Sequence, residues 1–192
     1  EEVVKLTEMI INREGFGDIL ADGVKIAAQK IGNGAEAFAV HAGGQELPMH
    51  DPRLDSGYGL AYQCEPTPGR HTISCNMYPE LFAVNQQFPE AKKIIKQGQS
   101  KVQKEARQYA TGSFFMQLIN GCGLCEFGPM TGLLPIADYI NAITGWNLST
   151  AEYFKTAERI LSLRKAFNVR EGVTVADAKL HERAIGKTPL TS

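Results

Sequence analysis

From Lys101 onward, Val102, Ala106, Tyr109 and Ala110 recur at helical spacing, and the pattern runs on through Phe114, Phe115, Leu118 and Ile119. Apolar residues sustained at a 3.6-residue period over this length fit a long helix and no strand. The run ends in Asn120-Gly121-Cys122-Gly123-Leu124-Cys125, after which Phe127-Gly128-Pro129 breaks away. Whatever fold the chain adopts must pack this helix and place the two cysteines at its end.

Similar stripes occur on both sides. Val3, Val4, Leu6, Ile10 and Ile11 predict a helix that Gly15-Phe16-Gly17 stops. Asp18 is expected to cap the next helix, with Ile19, Leu20, Gly23, Val24, Ala27, Ala28 and Ile31 on one face and Gly32-Asn33-Gly34 at its end. Leu133–Ile143 predicts another helix, ended by Gly145-Trp146. Ser149-x-x-Glu152 is a capping box. It opens a helix carrying Tyr153, Phe154, Ala157, Ile160, Leu161 and Phe167 on one face, and Asn168–Gly172 ends it. Glu90–Lys104 is lysine-rich and reads as a solvated helix face; the tail after Val175 is mostly polar.

Strand signals are short: Ala37-Phe38-Ala39-Val40-His41 is the main one. Residues 43–81 hold Pro48, Pro52, Pro66, Pro68 and Pro79 and show little periodicity apart from a short helix around Tyr58–Tyr62. A stretch this long without regular structure is usually functional. The expected fold is therefore mostly α and multihelical. Two all-helical lobes, about 1–80 and 81–192, pack together with the long irregular Pro/Gly-rich segment between or beside them. The 192 residues suffice for such a core.

Twenty basic against twenty-one acidic side chains leave a net charge of −1, so no global field favours nucleic acid or an anionic membrane. No apolar run approaches the roughly 18–20 residues of a membrane span, and Glu1-Glu2 opens straight into a helical pattern without a signal peptide. A start without methionine leads us to expect a chain cut from something longer. Four cysteines are too few for a disulfide-stapled secreted domain, which points to a reducing, cytoplasmic setting.

In that setting the Cys122/Cys125 pair has four readings. A thioredoxin-like redox pair needs a preceding strand, which the helical pattern opposes. Structural zinc needs four ligands, with Cys64 and Cys75 as a loosely spaced second pair. An iron–sulfur cluster is often held by a close group of cysteines and one remote one, a place Cys125 fits if its partners lie outside the chain. Buried, inert thiols are the fourth reading. His71 follows the stiff turn Pro66-Thr67-Pro68-Gly69-Arg70 and could move a proton near neutral pH, or be an ordinary loop imidazole. His50-Asp51 is a lesser pair, with Asp51 expected to cap a turn before Pro52. Glu46 could be catalytic or a solvated carboxylate. No Walker A, G-x-S-x-G, H-E-x-x-H or dinucleotide fingerprint occurs.

Seven stretches in order resemble the tungsten-containing aldehyde:ferredoxin oxidoreductases. They are Gly15-Phe16-Gly17-Asp18-Ile19-Leu20-Ala21-Asp22-Gly23, Gly44-Gln45-Glu46-Leu47-Pro48-Met49-His50-Asp51-Pro52-Arg53, Gly59-Leu60-Ala61-Tyr62 and Pro68-Gly69-Arg70-His71. Gly123-Leu124-Cys125-Glu126-Phe127, Thr144-Gly145-Trp146 and Phe167-Asn168-Val169-Arg170-Glu171-Gly172 follow. The resemblance spans nearly the whole chain. It implies the helical C-terminal region of an enzyme that oxidises small aldehydes to carboxylic acids and passes the electrons to ferredoxin. Such an enzyme holds tungsten (or molybdenum) on two pterins beside a [4Fe–4S] cluster. The N-terminal pterin-binding domain, with which this region would pack, and the C-x-x-C-x-x-x-C cluster motif lie outside the chain. The fragment alone is then expected to be inactive.

By the same resemblance Cys125 is the fourth cluster ligand, Leu124 and Cys125 contact a pterin, and His71 is the active-site histidine. Asn120 takes the pterin-facing place where the family has Asp, and Gly43 stands where it commonly has Lys; both departures suggest a divergent member. Cys122 is a neighbour rather than a ligand. A homodimer is compatible with the resemblance; nucleic-acid or membrane partners are not expected. Two alternatives stand beside it. One is a non-catalytic helical packing or interaction domain. The other is a domain stabilised by zinc on its four cysteines, Cys64, Cys75, Cys122 and Cys125.

Overall fold

In the computed structural model, which describes residues 1–131 and 134–186, helices carry most of the backbone. They are α1 (Glu2–Asn12), α2 (Phe16–Leu20), α3 (Val24–Ile31), α4 (Ser56–Cys64), α5 (Tyr78–Leu81), α6 (Val84–Gln87), α7 (Pro89–Lys96), α8 (Lys101–Gly121), α9 (Ile136–Thr144) and α10 (Thr150–Arg170). A two-stranded antiparallel hairpin, β1 (His41–Ala42) and β2 (Gln45–Glu46), pairs His41 with Glu46 and Ala42 with Gln45. The expected mostly α, multihelical class is what the chain forms. No helix among the described residues is long and apolar enough to cross a membrane.

The long helix read from residue 101 onward is α8. Ser100 caps it, its hydroxyl oxygen accepting from the Gln103 amide at 3.2 Å. Phe115, Met116 and Ile119 of α8 are fully buried, and α5, α7 and α10 pack around the helix. The centre is aromatic: Phe115 lies 5.6 Å from Phe82 and 6.0 Å from Phe88, ring centre to ring centre. Phe88 in turn lies 5.6 Å from Phe154. Burial of each such side chain stabilises the fold by about 1.5–3 kcal/mol.

The capping box forms as read. Ser149 Oγ accepts from the Glu152 amide at 3.3 Å while Glu152 Oε2 accepts from the Ser149 amide at 2.8 Å. The apolar stripe of α10 is buried at Tyr153, Phe154 and Ala157, whereas Phe167 is exposed, because the last turns of α10 run past the core. The helix predicted from Leu133 begins at Ile136, and Gly145 closes it in the left-handed region; Leu133 lies outside the described residues, as does the terminal Thr191-Ser192.

The N-terminal stripe differs from expectation. The single helix predicted over 18–31 is split into α2 and α3 at Gly23, whose φ of +85° no helix tolerates. Asp18 lies inside α2 and pairs with Arg13 at 3.1 Å instead of capping. The cap of α3 comes from far along the chain: Glu46 Oε1 accepts from the Val24 amide at 2.6 Å. Asp22 bridges Arg13 and Lys30, each at 2.7 Å, and these hydrogen bonds hold its carboxyl down at about 2.

The expected strand at 37–41 is a 3-10 turn over Ala35–Phe38, followed by the short β1. Within 43–81 the helix around Tyr58–Tyr62 extends to Ser56–Cys64, capped by Asp55 Oδ1, which accepts from the Gly57 amide at 2.7 Å. The charged stretch 90–104 breaks between α7 and α8. The tail is less solvated than its composition suggests: Ala178, Leu180 and Ala184 are buried, and the turn Val175–Ala178 packs against α4.

Candidate functional site

The loop after α4 carries His71. Gly69 there has φ +71°, and a Cβ on it would come within 2.7 Å of Gln45 Cγ, so the turn is pressed against β2 and needs glycine on both counts. Beyond it the backbone carbonyl of His71 accepts from the Tyr78 hydroxyl at 2.9 Å. The carbonyl of His50 accepts from the Tyr62 hydroxyl at 2.7 Å. Both imidazole-bearing segments are thus tied to buried phenols of α4 and α5. Burial pushes Tyr62 up to about 12 and raises Tyr78 as well, so both remain protonated donors.

These ties bring His50 and His71 ring to ring, with centroids 4.5 Å apart and planes tilted by 36°. Tyr58 also stacks on His50, with ring centroids 4.9 Å apart. Burial, then the neighbouring His50 charge, lower the pKa of His71 below the usual imidazole range. His71 is therefore neutral at physiological pH and able to accept a proton. A groove of about 360 Å³ runs beside His50, walled by Leu47, Pro48, Met49 and Arg183.

Asp51 does not pair with His50. It accepts from the Arg53 amide at 2.8 Å and binds the Arg53 guanidinium at 2.6 Å, the turn-capping role expected of it. Glu46, as the cap of α3, has a structural task. Cys75 is fully buried, and burial pushes its thiol up to about 11.

The cysteine motif is the end of α8. Gly123 takes φ +69° with nothing within 4 Å of an added Cβ, so it is there for its backbone freedom. The Leu124 amide bonds back to the Ile119 carbonyl at 3.0 Å, and the Gly123 amide to the Asn120 carbonyl at 3.2 Å. The chain then turns again where the Gly128 amide meets the Cys125 carbonyl at 3.0 Å. Between these bonds Asn120, Leu124 and Cys125 are exposed, as is Phe127 at 65 %. Cys122 instead lines the apolar cleft between α8, α9 and α10, with Ile140, Trp146 and Ile160.

Glu126 follows Cys125 in the chain. Its Oε2 is buried with no hydrogen-bond partner among the described residues. Burial raises its carboxyl pKa, while His50 is near enough to pull it the other way, and Glu126 in turn raises Tyr78. In the sequence Glu126 carries no signal beyond its place in the Gly123–Phe127 motif. The signal that reveals it, a buried oxygen without a partner among the described residues, exists only after folding.

No group of three or more His, Cys, Asp or Glu side chains able to hold a metal occurs among the described residues. Cys64, Cys75, Cys122 and Cys125 do not converge, because Cys75 is locked in the core and the other three are exposed. The reading of a zinc-held domain on these four cysteines is thereby overturned. At the end of α8 the chain offers the exposed Cys125 thiol, followed by Glu126, whose Oε2 is buried without a partner among the described residues. That donor set fits a cluster and cofactor completed by residues from elsewhere.

The sequence matches the family described as "Aldehyde ferredoxin oxidoreductase, domains 2 & 3" over residues 1–192. It is 34 % identical over 165 residues to the tungsten-containing aldehyde ferredoxin oxidoreductase of Pyrococcus abyssi, covering 85 % of this chain and 26 % of that protein. The Pyrococcus furiosus protein of the same description is 31 % identical over 170 residues, with 88 % and 26 % covered. An aliphatic sulfonate oxidoreductase, WOR-like subunit, of Pyrococcus furiosus is 25 % identical over 168 residues, with 84 % and 22 % covered. The chain thus spans about a quarter of the length of the curated relatives it matches.

Proposed function

The chain belongs to the aldehyde ferredoxin oxidoreductase family, and from that premise we propose that it is the helical part of a tungsten (or molybdenum) pterin, iron–sulfur oxidoreductase. The observation that carries this reading is the family match over residues 1–192, together with the free, exposed Cys125 in the loop that ends α8. The reaction is the oxidation of a small aldehyde to its carboxylic acid in the cytoplasm, with ferredoxin taking the electrons. The sub-lobes 1–80 and 81–192 are part of the same reading.

The metal–pterin group, when bound, supplies the two-electron oxidation. Cys125 would give one thiolate to the adjoining [4Fe–4S] cluster, and Leu124 and Asn120 would face a pterin. An amide at Asn120 can accept a hydrogen bond but lacks the charge of a carboxylate. Oxidation of an aldehyde with water releases two protons with the two electrons. Neutral His71 takes one of those protons on a ring nitrogen, and the Tyr78 bond to its carbonyl keeps the backbone in place. Exposed Leu124 and Phe127 exclude water once covered.

The chain alone supplies one cluster ligand and is expected to be inactive. Anaerobic reconstitution with iron and sulfide tests this. The expected result is no stoichiometric cluster absorbance; a full [4Fe–4S] per chain would overturn the assignment of a single ligand. Metal analysis of the full-length polypeptide then separates the enzyme from a non-catalytic helical packing domain, which would hold neither tungsten, molybdenum nor iron.

A further inference from the structure

The motif Phe167–Gly172 spans the end of α10. Its Asn168, with Arg164 one turn earlier, reaches toward the loop that leads to His71. Asn168 Nδ2 donates to the Pro66 carbonyl at 2.6 Å, and Arg164 Nη2 donates to Thr67 Oγ1 at 2.8 Å. Lys165 Nζ adds a third bond, to the Cys64 carbonyl at 2.9 Å. The other arm of Arg164 donates from Nη1 to Gln117 Oε1 of α8 at 2.6 Å, and Gln117 is fully buried. One guanidinium therefore ties the His71 loop to the helix whose end carries Cys125.

Little slack separates the tie from the imidazole. Pro66 and Pro68 fix φ on either side of Thr67, and Gly69 is pressed onto Gln45. The Gly69 amide is bonded to the Tyr62 carbonyl at 3.2 Å. Thr67 thus lies on the same short, closely held loop as His71, four residues before it. Arginine suits this place because its planar fork serves two acceptors at fixed geometry, which a lysine ammonium on a flexible stem does not.

We propose that Arg164 and Asn168 are positioning residues: they clamp the 64–71 loop to α8 and so hold His71 in register with the Cys125 loop. The proposal rests on the oxidoreductase reading only for what His71 does there; the clamp itself stands on the geometry. It predicts a local effect, whereas bonds that merely stabilise the fold would loosen all of it together.

The test uses the chain without cofactor. Hydrogen exchange is followed at the Gly69 amide, which is bonded to the Tyr62 carbonyl, and at Phe115–Ile119 of α8. The ring-current shift that His50 imposes on the His71 ring protons is read by NMR. In Arg164→Met and in Thr67→Val the Gly69 amide should exchange roughly ten-fold faster and the ring-current shift should shrink, with α8 unchanged. Asn168→Ala should do the same, and Arg164→Lys should fall between parent and Arg164→Met. The double variant Arg164→Met/Thr67→Val should be no worse than Arg164→Met. Parent-like Gly69 exchange and ring shifts, or equal acceleration of Gly69 and α8, would overturn the proposal. If Arg164→Met does not fold, Thr67→Val decides, since it leaves the Arg164–Gln117 bond in place. Failure of the clamp leaves the metal content of the full-length polypeptide unaffected, and absence of metal leaves these readouts unaffected.

Discussion

His50 and His71 lie with ring centres 4.5 Å apart, although 20 residues and helix α4 separate them in the chain. The His71 imidazole thus sits in the field of His50. His71→Ala would remove the proposed proton acceptor outright, so the more informative change is at its neighbour. His50→Gln should raise the titration midpoint of His71, since burial remains and the like charge goes.

The same depression has a consequence for stability. The folded pKa of His71 lies below its unfolded value of about 6.5. Between the two the unfolded chain binds more protons, so the contribution of His71 is full above pH of about 6.5 and is lost as pH falls through the window. Histidine NMR across pH 5–8 measures it directly. A midpoint at or above the ordinary imidazole value would contradict the account.

Glu65 gives the opposite slope. It is 5 % exposed; its Oε1 accepts from the Tyr109 hydroxyl at 2.8 Å and the Ser113 hydroxyl at 2.7 Å, while Oε2 has no partner among the described residues. Burial raises its pKa against these hydrogen bonds and the Arg164 charge. The folded chain therefore holds this proton above the unfolded value of about 4.3, and stability declines as pH rises through the interval. Glu65→Gln should gain stability relative to the parent between pH 5 and pH 8. Urea unfolding at both pH values decides it, and parallel curves would show that Glu65 does not titrate on folding.

Gly123→Ala should cost about 1–2 kcal/mol, the penalty of a left-handed residue with a Cβ. Gly123→Asn should cost less, because asparagine visits that region more readily. Nothing within 4 Å would clash with an added Cβ, so any loss is a backbone effect, and denaturant midpoints for the two variants would rank Ala below Asn. Equal loss for both would point to contacts instead.

Helix positions were legible wherever the 3.6 period was long and capped. Ser149 and Glu152 wrote the start of α10, and the stripe through Phe115 and Ile119 wrote α8. Where a boundary depends on a distant residue, the sequence is silent. Glu46 caps α3 from 22 positions away, so local signals merged α2 and α3 and left Glu46 looking like a free carboxylate. The site follows the same rule. His71 and Cys125 stood out by residue type and motif, but Glu126, the Tyr62 and Tyr78 ties and the Arg164 clamp depend on how the folded chain brings separate segments together. Charge and periodicity carry no record of them.

The central claim is that Cys125, and not Cys122, is this chain's ligand to an iron–sulfur cluster beside a metal–pterin site. Iron and tungsten or molybdenum content of the anaerobically purified full-length polypeptide, compared with its Cys125→Ser and Cys122→Ser variants, tests it most directly. The account predicts about four irons per chain in the parent and in Cys122→Ser, and loss of the intact cluster in Cys125→Ser. Full iron content in Cys125→Ser, or no such metals in the parent, would contradict it.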